Sequence, residues 1–290
     1  MSRLAVPKTY KLYINGKFPR TESGRSLPLY GANDQVLAHI CKGSRKDLRD
    51  AVEAARAAQP KWAGATAYNR GQVLYRMAEM AEGKRQEFAE LISATSDDGI
   101  AAARKEVEVA IDRLVCFGGW ADKYTQVLGC NNPVAGPYYN FTIPEPTGVV
   151  VVVTPDEPPL LGLVSLLAPP LCAGNAVVVV AGDEHPLPAA VFGEVCATSD
   201  VPPGVVNIIT AERDELLSHV AEHRNVDGIS AANLGKADAT LLRGGTAENI
   251  KRVRVEQRSA DDWYDADVCE SPWTIEPFVD MKTIWHPSAS

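Results

Sequence analysis

Six cysteines are the first residues in this chain whose chemistry could define a function, because a thiolate is both a nucleophile and a metal ligand. Cys41, Cys116, Cys130, Cys172, Cys196 and Cys269 are scattered, with no C-x-x-C pair. That pattern points to free thiols in a reducing cytoplasm. Cys172 and Cys196 fall on apolar helix faces and read as core. Cys269 stands in DVCESPW among acids, which disfavour a thiolate. His219 and His223 lie four apart in SHVAEHR, on one helix face, but no third ligand stands at metal-site spacing, so no metal is expected. No glycine-rich phosphate loop, zinc-protease helix or nucleophile elbow occurs.

The elements that would position any such chemistry change character along the chain. Residues 10 to 42 read as short strands and turns, with Asn15-Gly16 a hairpin signal. Helical patterns come next. Leu48, Val52 and Ala55 mark the first, with Asp47 near its start and Pro60 beyond its end. Two more cover 67 to 96, and a longer one from Ile100 buries Val107, Ile111, Leu114 and Val115. From Gly148 the runs GVVVVV, AVVVV, GVVNII and VDGIS alternate with helical stretches. Continuous Val and Ile runs mark parallel strands covered on both faces, so the fold class is α/β with a doubly wound sheet.

Composition bounds the partners. The 290 residues are 46% hydrophobic and 23% charged, with a formal net charge of −8, which argues against nucleic acid and anionic membranes. The N-terminus lacks the apolar core of a signal peptide, so no export is expected. The uncharged run from Pro158 to Gly182 is interrupted by Pro169-Pro170 and Gly174-Asn175, which suits a buried helix and strand better than a membrane span.

Longer stretches carry a resemblance. EPTGVVVVVTP, LLAPPLCAGNAVVVV, VPPGVVNIIT and HRNVDGIS occur in the order of the coenzyme domain of the aldehyde dehydrogenase superfamily, and GWADKY, GPYYNFT and MKTIWHP resemble that family too. The resemblance runs from about residue 10 to 256 and from 273 to 287. It implies a division into an N-terminal helical part (1–130), an oligomerisation arm (131–145), a parallel-sheet coenzyme-type domain (146–256), an acidic linker (257–272) and a C-terminal oligomerisation strand (273–290).

The departures from the family pattern bear on activity. Glu157 occupies the position of the Asn that donates to the oxyanion; losing one such donor typically costs roughly 2.7 to 4 kcal/mol, and Glu157 reads as a solvated loop carboxylate. Val180 replaces the Lys that binds the adenosine ribose. Asp183, near the ribose-side Glu, reads as a turn or helix N-terminal charge. In ISAANLGK the phosphate-side turn is shortened, and Gly235 reads as a loop glycine. Glu256 matches the general base, but Gln257, Arg258 and Ser259 depart from the Gly-Gly-Lys that the family places directly after that Glu. Residues 257 to 272 stand where the family places its catalytic lobe with the nucleophilic Cys, and even a marginal domain needs about 40 to 60 residues.

The expectation is therefore a non-catalytic, cytoplasmic family member with no catalytic residues of its own. It would bind no cofactor, or NAD only weakly, and pair with a full-length aldehyde dehydrogenase or with itself. The oligomerisation residues would be Tyr138 and Phe141 in one segment and Ile275, Val279, Met281 and Trp285 in an amphipathic strand starting at Trp273. The alternatives are a nucleotide-binding sensor module and a residual oxidoreductase or esterase using an unexpected thiol.

Overall fold

The computed structural model describes residues 6–31, 35–96 and 99–288. The first five residues of the basic N-terminus and the last two of the expected C-terminal arm lie outside these. Strands β1 (Lys8–Tyr10), β2 (Ser26–Tyr30) and β3 (Val36–Cys41) form a small sheet ordered β1-β3-β2. After β1, Asn15 and Gly16 take φ of 52° and 71°, and Ile14 and Lys17 exchange backbone hydrogen bonds of 2.9 and 3.0 Å. Positive φ at both central residues is what a two-residue hairpin turn needs to match strand twist, and Asn-Gly tolerates it.

Helices α1 (Arg45–Ala63), α2 (Ala67–Gly83), α3 (Arg85–Thr95) and α4 (Gly99–Trp120) come next, then the short α5 (Tyr124–Leu128). Ser44 and Asp47 form a reciprocal capping box that starts α1. Pro60 lies inside α1 rather than beyond it. It sits on an exposed stretch, where water can serve the one carbonyl left without a donor. The buried stripe of α4 includes Val107, Ile111, Leu114 and Phe117, whereas Val115 is exposed. Val115 is one residue past Leu114 and so turns off the stripe, which Phe117 completes three residues on.

Strands β4 (Cys130–Asn132) and β5 (Tyr138–Pro146) precede the Val-rich unit. There β6 (Val149–Val153), α6 (Pro159–Ala173), β7 (Ala176–Val180), α7 (Leu187–Thr198), β8 (Val206–Ile209), α8 (Arg213–Glu222), β9 (Gly228–Ala232), α9 (Lys236–Gly244), α10 (Thr246–Asn249) and β10 (Arg252–Glu256) alternate. The sheet is parallel throughout, in the order β10-β9-β6-β7-β8. Val149, Val151 and Val153 pack on one face with α1 and α8, and Val150 and Val152 on the other with the layer that holds α6, α7 and α2 to α4. The five-residue strand β6 is wholly buried, which accounts for its unbroken Val run.

Residues 257–272 are not an exposed linker. They form a 3-10 turn at Asp261–Trp263 and the short α11 (Ala266–Cys269). Asp261, Asp265 and Asp267 face solvent, while Trp263 and Cys269, both 1% exposed, anchor the segment in the core. The C-terminal strand begins at Val279 rather than Trp273: β11 spans Val279–Pro287. Pro272 and Pro277 each lie in a 3-10 turn and cannot donate to a ladder. Ile275 is fully buried in the main core and belongs to no arm, while Trp273 is 57% exposed. Strand β11 pairs antiparallel with β5 from Val279↔Pro146 to Pro287↔Tyr138, giving a sheet ordered β11-β5-β4.

Candidate functional site

Parallel strands open their carboxyl ends on one edge, and ligands of open α/β sheets bind where the strand order reverses. Here the reversal falls between β6 and β9. A cavity of about 340 Å³ lies there, lined by Glu157, Pro158 and Pro159 after β6, Asn233 after β9, and residues of α3, α4 and the segment after β10.

Glu157 reaches this cavity with its side chain 64% exposed, 3.5 Å from His185 Nε2. It offers a carboxylate where the family resemblance implies an amide donor. Sequence reasoning missed the residue beside it. Glu106 of α4 is 5% exposed and its Oε1 accepts from the backbone N–H of Leu160 (2.8 Å) and Leu161 (3.0 Å). Helix α6 has Pro158 as its N-cap and no side-chain cap of its own, so its first amides need an acceptor from elsewhere. A proline-led helix without Ser, Thr, Asp or Asn at its start was the available signal.

On the far side of β6, Val180 is 0% exposed and packs inside the sheet, so it offers nothing to a ligand. Asp183 accepts from the backbone N–H of Arg213 (2.9 Å) and from its Nε (3.2 Å), at the N-terminus of α8. The Arg213 guanidinium also ion-pairs with Asp156. Asp156 Oδ1 in turn accepts from Glu184 N at 3.1 Å. Burial alone would lower the Arg213 pKa, but Asp156 and Asp183 hold it above its ordinary value. Arg213 was not legible in the sequence, because it is brought to this edge by the β8–α8 turn. Val180 and the Arg213 knot do not fit a ribose in the manner the resemblance implies.

Gly235 is the N-cap of α9, with φ −58°. A side chain there would meet only Asp238 Oδ2 at 3.9 Å, so nothing in the turn requires glycine. Asp238 places a negative charge in the first turn of that helix.

Glu256 ends β10 with both oxygens engaged. Arg254 holds Oε1, and Arg258 donates to Oε2 from Nε (2.9 Å) and Nη2 (2.6 Å). A general base must reach the proton it takes, and this carboxylate is instead a structural anchor for two guanidiniums. Arg258 Nη1 also lies 2.9 Å from Cys269 Sγ, and its guanidinium sits 4.8 Å over the Trp263 ring. Two guanidiniums, Arg113 and Arg258, thus lie near Cys269 in space together with the carboxylates of Glu256 and Asp265, whereas its sequence neighbours are acidic alone. Burial still pushes its thiol pKa up, with Arg113 and Arg258 pulling the other way. Burial likewise pushes Cys116 up to about 11, and pushes up Cys172 and Cys196.

His223 is held below the usual imidazole value by burial and by Lys251. Among the described residues no group of three or more His, Cys, Asp or Glu is placed to hold a metal ion, and no helix is long and apolar enough to cross a membrane.

A model of the aldehyde dehydrogenase family matches residues 22–264. Retinal dehydrogenase 2 of Gallus gallus is 32% identical over 254 residues, covering 86% of this chain and 48% of that protein. Retinaldehyde dehydrogenase 3 of Mus musculus is 33% identical over 258 residues, covering 86% and 49%. The NAD+ complex of aldehyde dehydrogenase from Bacillus cereus superposes with a TM-score of 0.81 at 26% identity, covering 86% of this chain and 51% of that one. The chain thus spans about half the length of the relatives it matches. On the family match and the shared fold, the chain belongs to the aldehyde dehydrogenase family.

Proposed function

We propose that this chain is a non-catalytic member of its family that acts as a structural or regulatory subunit, pairing through its three-stranded arm with a full-length aldehyde dehydrogenase. The observation that carries this reading is the β11–β5 ladder, which presents apolar side chains to solvent. Tyr138 (46%), Met281 (46%) and Trp285 (59%) are exposed on one face of it, and Tyr139 (63%) on the other. The Tyr138 and Trp285 rings pack edge to face at 5.9 Å. Exposed aromatic clusters on sheets with open edges mark association surfaces. The Glu157 carboxylate, the buried Val180 and the pairing of Glu256 with Arg254 and Arg258 support the absence of aldehyde oxidation and, at most, weak NAD binding.

The test is to co-express the chain with a full-length aldehyde dehydrogenase and measure mass by light scattering. Met281→Arg with Trp285→Arg changes only exposed residues and should release the partner while leaving the fold intact. A chain that stays monomeric beside the partner, or a complex indifferent to the double variant, overturns the assembly reading. NAD(P)H production by the isolated chain with an aldehyde, abolished by a cysteine substitution, overturns the non-catalytic one.

A further inference from the structure

We propose that the cavity at the β6–β9 switch binds a small organic cation, an ammonium group carried on a compact apolar body. The inference is independent of the assembly reading, since the arm contributes no residue to this cavity. Its volume of about 340 Å³ is that of a small-ligand site. Ile92, Ala102, Pro159 and the deeply buried Trp263 give it apolar walls, and Glu106 and Glu157 give it carboxylates.

The charge of the lining selects the ligand. Among the described residues no Lys, Arg or His lines the cavity; Lys105 is nearby, stacked 4.8 Å over the Tyr264 ring, but is outside the lining. A helix N-terminus such as that of α6 attracts anions when its amides are open. Here Leu160 and Leu161 already donate to Glu106, so an anion would meet two carboxylates and no donor from those amides. A neutral ligand would fill the apolar walls and could donate a hydrogen bond to Glu157, but without the attraction between opposite charges. An ammonium gains both, and Glu157, 64% exposed, can turn to it by giving up only its 3.5 Å contact with His185.

The Trp263 wall comes from the segment that follows Glu256 and is held in the core. Titration of the full chain with benzylammonium, benzyl alcohol and benzoate, monitored by saturation-transfer NMR, keeps the ring constant and varies only the charge. Benzylammonium should bind most tightly, benzyl alcohol at least about 5-fold more weakly, and benzoate not at all. Glu157→Gln should weaken benzylammonium about 5- to 10-fold and leave benzyl alcohol unchanged. Ala102→Phe, which fills the cavity from a half-exposed helix position, should abolish both. Equal binding of benzylammonium and benzyl alcohol, an unchanged affinity in either variant, or no binding by benzylammonium overturns the proposal.

Discussion

Arg213, opening α8, is ion-paired with Asp156 in the loop after β6, so the carboxyl ends of separate strands are clamped by one side chain. The Arg213 side chain is 12% exposed and also serves Asp183. Removing one partner of a largely buried pair leaves the others uncompensated. Arg213→Met should therefore lower stability by about 2 to 3 kcal/mol, read as a shift in urea midpoint. Arg213→Lys keeps the charge but loses the planar fork, and should fall between.

Thiol reactivity should track burial. At pH 8 an alkylating reagent should modify the exposed Cys130 and spare the buried Cys172 and Cys196, as peptide mass mapping would show. Cys116 should react with a midpoint near pH 11. Its folded pKa lies above the ordinary value of 9.0, so the unfolded chain releases this proton first. The contribution is fully present below pH 9 and is lost as pH rises to about 11, so the melting temperature should decline across that interval.

Asn175 should be a strong stability determinant. It is fully buried, its Oδ1 accepts from Gly148 N (2.8 Å), and its Nδ2 donates to Pro170 O (3.0 Å) and Phe278 O (2.9 Å). One amide thus ties β6, α6 and the approach to β11 together. Asn175→Ala strands the buried Gly148 N–H, whereas Pro170 O and Phe278 O each keep one backbone donor, from the N–H groups of residue 175 and Thr147. The substitution should cost about 1 to 3 kcal/mol. Asn175→Asp should also destabilise, because a carboxylate would face two carbonyls. Chemical denaturation of both variants checks this.

Trp263→Ala should cost about 3 to 5 kcal/mol, the usual range for deleting a buried aromatic. The effect should be concentrated in residues 257–272, since Trp263 and Cys269 are the buried apolar anchors of that acidic stretch. Limited proteolysis should cut the variant there well before the native chain. Cleavage at equal rates would show that the segment is held by other contacts.

The α/β class was legible because Val runs such as Val149–Val153 encode two-sided burial directly. The Asn15-Gly16 turn was legible because its backbone conformation limits the residues that tolerate it. Strand β10 was missed, since RVRVE lies at the sheet's edge and its five residues alternate charge with valine instead of repeating an apolar run. The acidic stretch was misread because counting carboxylates hides the two anchors between them. At the site, Glu157, Val180, Asp183 and Glu256 could be singled out by position. Arg213, Arg254 and Arg258, which pair with Asp183 and Glu256, and Glu106, which caps α6, could not, because those contacts depend on which elements meet at the sheet's edge.

The arm has a kinetic consequence. Thr142 of β5 and Thr283 of β11 meet across the ladder at 2.9 Å, yet they are 141 residues apart in the chain. Closing so long a loop is entropically unfavourable until the intervening strands and helices have condensed. The three-stranded arm should therefore mature last, and pulse-labelled amide exchange should show protection in β6 and β7 before β11. Under the assembly proposed above, the docking face would be complete only after the interior, and association would act as a checkpoint that admits finished chains and passes over nascent ones.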